Sequence, residues 1–78
     1  MRKMKKEQFI EWAKTRGWQL DRFGHLKKEK DGKSYRFKLS RIAARYELKT
    51  SSGWMRLKSG YFSKLSISDE GKIIGMTR

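Results

Sequence analysis

The sequence contains no cysteine and no proline. Without thiols there is no disulfide, thiolate metal site or cysteine nucleophile, which fits a reducing compartment such as the cytoplasm. Acids are scarce: 8 Asp+Glu stand against 21 Lys+Arg, a net charge of +13. No run approaches the roughly 18 apolar residues of a membrane-spanning helix. The basic opening MRKMKKEQF lacks the apolar segment of a secretory signal. No repeat, linker or low-complexity tract divides the chain. There is one histidine, His25, and no phosphate-loop, metal-ligand or nucleophile motif, so the residues by themselves call for no cofactor, metal or catalytic centre.

What is present is positive charge, spread along the whole length. The 78 residues read as one small domain, 1–78, with residues 1–4 expected to be a disordered end and Met4 a candidate alternative start. A domain of this size buries only about 60% of the surface its unfolded chain exposes. Self-repulsion at +13 works against the compact state. Heat-adapted surfaces raise Glu together with Lys to form ion-pair networks, and here the acids to pair with are missing. The excess therefore points to an anionic partner. DNA or RNA comes first, and an acidic protein or an anionic membrane surface, without insertion, comes second. Oligomeric state is left open by the sequence.

Periodicity supplies the elements. Phe9, Trp12, Ala13 and Arg16 share one face at helical spacing, widened by Ile10, which predicts a helix over residues 5–16 closed by Gly17. Trp18 is expected to pack back on it. The remainder predicts strands over 24–29, 34–40, 41–49 and 54–58. Asp31-Gly32 signals a tight hairpin, and residues 50–53 a turn. Tyr35, Phe37 and Leu39 alternate on odd positions, and Ile42, Ala44, Tyr46 and Leu48 on even ones. A two-residue turn at Ser40-Arg41 would explain that change of phase. It would set Tyr35 opposite Tyr46, Phe37 opposite Ala44 and Arg36 opposite Arg45. A helix capped by Ser40 is the rival for 41–49, but it accounts for fewer of the apolar residues. Residues 61–65 read as irregular or a single helical turn, and 65–76 as a small hairpin with Asp69-Glu70-Gly71 at its tip. The predicted fold is α+β: one N-terminal helix on one face of a mainly antiparallel sheet of three to five strands, in the order α-β-β-β-β.

The helix covers one face and leaves the other wet. The inward set is Leu26, Tyr35, Phe37, Leu39, Ile42, Ala44, Tyr46, Leu48, Met55 and Leu57. The outward set contains Arg36, Lys38, Arg45, Lys49, Trp54, Arg56 and Lys58, with Glu47 its one acid and Lys27 at its margin. Arg facing Arg across two strands is destabilising, and such a conflict marks a surface selected for something other than stability. The expected nucleic-acid-binding residues are Arg36, Lys38, Arg45, Trp54, Arg56 and Lys58, with Trp54 either stacking on bases or folding over the sheet edge. About six neutralised phosphates on a duplex would give a log K against log salt slope near −5. Weaker candidates are Ser51, Ser52, Ser59 and Ser63 with Gly53 and Gly60, and the helix lysines Lys5, Lys6 and Lys14.

The run EQFIEWAKTRGWQLDRFGHLKKEKDGKSYRFKLS resembles the opening of the HicA-type mRNA interferase toxins, in a helix, a Gly-aromatic step and a Gly-His strand leading into a hairpin. The resemblance implies RNA cleavage with His25 as general acid/base, on a fold like that of the double-stranded-RNA-binding domains. Those domains are also similar in their αβββ start. Both families end in a helix, whereas the second half here reads as strands.

Overall fold

The computed structural model describes residues 4–78. Of the end expected to be disordered, residues 1–3 lie outside the described residues, whereas Met4 is buried in the core.

Helix α1 spans Lys6–Thr15. The side-chain oxygen of Gln8 accepts the Lys5 amide at 2.8 Å and closes its first turn. Gly17 ends it at φ +88°, a left-handed conformation that suits glycine. Lys28 donates to the Arg16 carbonyl at 2.6 Å, so a cation meets the negative end of the helix dipole.

Five strands follow: β1 Gln19–Leu20, β2 Leu26–Lys30, β3 Lys33–Leu39, β4 Ala43–Thr50 and β5 Gly53–Tyr61. They form one antiparallel sheet in sequence order. A 3₁₀ turn at Phe62–Lys64 leads to a separate hairpin of β6 Ser66–Ile67 and β7 Ile73–Ile74. The α+β architecture is thus the one the periodicity predicts, with the short β1 added ahead of the first expected strand. Residues 43–50 are strand rather than helix. Asp31 and Gly32 carry φ of +54° and +76°, the paired positive values of a type I′ hairpin.

The β3–β4 connection differs from expectation. Its central residues are Arg41 and Ile42, not Ser40 and Arg41. Ser40 builds the turn: its Oγ accepts the Ala43 amide at 3.0 Å, and its own amide donates to the Ala43 carbonyl at 2.9 Å. The turn therefore lies one residue further on, and every pair shifts by two. Tyr35 opposes Leu48, Phe37 opposes Tyr46, and Arg36 opposes Glu47 rather than Arg45. An even shift keeps each side chain on its face, so the two faces survive the correction. Ile42, expected inward, sits at the turn and is exposed.

The core lies between α1 and the inner face. Phe9 is fully buried, edge-on to Phe37 at 4.9 Å and tilted on Phe62 at 5.6 Å. Trp18 packs on Phe37 at 4.4 Å, and Tyr46 continues the row to a parallel stack with Tyr35 at 5.6 Å. Burial, then the neighbouring Tyr35, push the Tyr46 hydroxyl above its ordinary pKa. Met55, expected inward, lies towards the sheet edge and is exposed. The β6–β7 hairpin is tied back to the helix by Trp12, whose indole N–H donates to the Gly71 carbonyl at 2.7 Å.

The loop before β2 is organised by Asp21. One carboxylate oxygen accepts the Phe23 and His25 amides, each at 2.9 Å, and Lys27 stands 3.7 Å from the other. The bond from the His25 amide, aided by the Phe23 amide and the Lys27 and His25 charges, holds the Asp21 carboxyl below its ordinary pKa against the effect of burial. A carboxylate with a depressed folded pKa adds stability above its unfolded pKa and loses it as pH falls through the folded one. Urea midpoints are therefore expected to drop below about pH 4, and Asp21→Asn should flatten that drop. Equal acid sensitivity in both proteins would remove Asp21 as its source.

Candidate nucleic-acid interface

The outer face is built from cross-strand rows. One runs Lys27–Arg36–Glu47–Arg56 across β2, β3, β4 and β5. The next runs Lys38–Arg45–Ser59 across β3, β4 and β5. Lys49 and Trp54 form a further pair beyond the first row. The alternation of hydrophobic residues on the other side fixes this arrangement, because each inward Phe37, Leu39 or Ala44 sends its neighbours outward.

Glu47 is the centre of the face and the least exposed residue on it, at 4%. Its Oε1 takes the Arg36 Nε–H at 2.6 Å, and its Oε2 lies 4.0 Å from Arg45. Arg36 is thus neutralised within the protein, not left facing Arg45. Its guanidinium also covers the Trp54 ring, 4.3 Å from the centroid, and the Lys49 ammonium lies 5.3 Å from the same ring. Of the six residues expected to bind, Arg36 is consequently engaged with both Glu47 and Trp54.

Three of the others converge. Lys38, Arg45 and Arg56 line a concavity of about 300 Å³ together with Ser40, Ser59 and Tyr61. Among the described residues neither Lys38 nor Arg56 has an ion-pair partner, and Arg45 has only the long contact to Glu47. Lys58 is not part of the group. A bulge between Tyr46 and Glu47 leaves Leu57 without a cross-strand partner, so Lys58 pairs with Tyr46 on the opposite face. The same bulge swings Ser59 and Tyr61 outward. Tyr61 was invisible to simple alternation, since counting from Trp54 places it inward. No sequence signal marks the bulge itself.

The remaining candidates have local duties or stand apart. Thr50 Oγ1 accepts the Ser52 amide and donates to the Gly53 carbonyl, which closes the β4–β5 turn. Gly60 lets Leu65 approach the sheet. Lys5 and Lys6 border a second concavity beside Arg41, Ile42 and Tyr61, and Lys14 is exposed on the last turn of α1. His25 Nδ1 accepts the Leu39 amide at 3.0 Å, so this nitrogen is used in joining the loop to β3. Among the described residues no group of three or more His, Cys, Asp or Glu could hold a metal ion. No helix among them is long and apolar enough to cross a membrane.

Comparison of the chain with family models, curated proteins and solved structures finds no match. Among the described residues α1 is the one α-helix, and the second half forms strands and the β6–β7 hairpin, as the sequence predicts.

Proposed function

We propose that this protein is a non-catalytic nucleic-acid-binding domain that holds phosphates on the outer face of its sheet. The observation that supports it is the convergence of Lys38, Arg45 and Arg56 on one concavity that Ser59 and Tyr61 also line. Like charges packed on neighbouring strands cost stability unless an anion neutralises them. The carboxylate in the vicinity, Glu47, is already committed to Arg36. Cations supply most of the affinity for a phosphate backbone, and hydroxyls add positioning contacts.

The test is binding of labelled DNA and RNA across a salt series. If three phosphates are neutralised on a duplex, the slope of log K against log salt should be about −2.7, and removing one cation should make it shallower by about 0.9. Lys38→Ala, Arg45→Ala and Arg56→Ala should each produce that change, while Lys58→Ala should not move the slope. Binding that persists unchanged to high salt would rule the mechanism out. Equally tight capture of polyglutamate would transfer the reading to an acidic protein partner.

A further inference from the structure

Along its two cationic rows the outer face offers no open aromatic ring on which a base could stack. A sheet that grips single strands needs aromatic side chains exposed among its cations, and stacking supplies about 1–3 kcal/mol per base. Trp54 is the aromatic residue among these cations, and Arg36 and Lys49 lie over its ring. Arg36 is itself pinned by Glu47 at 2.6 Å, with side chains only 17% and 6% exposed. Lifting the guanidinium from Trp54 therefore means breaking a largely buried ion pair. The sheet's other large rings, Tyr35, Phe37 and Tyr46, are packed in the row with Trp18 on the inner face. Tyr61 is exposed and lines the concavity, but it is a single ring, paired with Ala43 one row beyond Lys38–Arg45–Ser59.

What the face presents is a fixed array of charge. Its two cationic rows lie two residues apart along β3 and β4, about 7 Å. When charge alone supplies affinity, partners rank by linear charge density. A duplex carries one charge per about 1.7 Å, and a single strand about half that density. We infer that the partner is double-stranded nucleic acid held by its backbone, and that Trp54 is a positioning residue for Arg36 rather than a stacking platform. This rests on the proposed phosphate-binding function and narrows it.

The ranking can be estimated from counterion release. Three neutralised phosphates give slopes of about −2.7 on a duplex and about −2.1 on a single strand, so affinities equal at about 1 M salt differ about fourfold at about 0.1 M. The experiment is anisotropy with a short labelled duplex and its separated strands at several salt concentrations, with tryptophan emission recorded in the same titration. The expected result is a tighter, steeper duplex isotherm, with emission little changed on adding either strand. Trp54→Leu should weaken duplex and single-strand binding by the same factor. A single strand bound as tightly as the duplex, with emission quenched in the wild-type chain and not in Trp54→Leu, would overturn the inference. The wild-type emission decides the point even if the variant folds poorly. Absence of binding to any strand or duplex at low salt overturns the phosphate-binding reading, and the duplex ranking with it.

Discussion

Glu47→Gln is expected to destabilise the protein by about 3 kcal/mol, the lower end of what breaking a buried ion pair costs. The change is isosteric, so the loss is electrostatic. Arg36 would keep its place between Trp54 and the sheet with no carboxylate against it. Arg45 and Arg56 would then face an uncompensated neighbour, where the native row places an anion between Arg36 and Arg56. A domain of this length has about 4–12 kcal/mol of total stability, so the effect should be plain in urea unfolding. Arg36→Met combined with Glu47→Leu should recover most of the loss, because an apolar pair avoids burying a lone charge. A single Glu47→Gln change that costs less than about 1 kcal/mol, the usual worth of an exposed pair, would show the bridge to be effectively at the surface.

Gly75→Ala is the second large effect, and it acts through packing rather than charge. Gly75 has φ +108°, where a side chain is strained, and a methyl group there would overlap the Lys64 carbonyl oxygen and press on Leu65. Backbone strain and overpacking each cost about 1–3 kcal/mol, so a loss of about 3 kcal/mol is expected. Leu65 is among the most deeply buried side chains, and Gly75 is the position that lets the hairpin close over it. Thermal unfolding measures the loss. Gly32→Ala is the control: it also has positive φ, but nothing lies within 4 Å of an added methyl. Its cost should be confined to the backbone term. Equal shifts in the two variants would remove steric closure as the cause.

The elements were legible in the sequence because they rest on local chemistry. Helix periodicity, Gly17 and Asp31-Gly32 each act within a few residues, and the structure keeps all three. Pairing across strands was not legible to the same degree. The apolar alternation specifies faces, but a shift of two residues preserves every face, so it cannot choose between Arg36–Arg45 and Arg36–Glu47. The choice is made by Ser40, whose hydroxyl closes the turn around Arg41 and Ile42. Serine serves many turns, so its presence alone did not place the turn. Lys58 and Tyr61 changed sides for a different reason. A bulge is set by how β5 and β4 fit each other, and no residue at Leu57 announces it.

That bulge also bears on how molecules of this protein meet. β5 is the longest strand of the sheet, and it is an outer strand, with a single bridge from Ser59 to Thr77 along its far side. A regular outer strand of nine residues is an open template on which a neighbouring chain can extend the sheet. Here the backbone is kinked at Leu57, and Arg56 and Lys58 stand on either side of the kink. A second copy adding its own β5 would meet a broken line of donors and acceptors and would bring more arginine and lysine against those already there. The irregularity that sorts side chains between the two faces thus also guards the sheet against growing sideways.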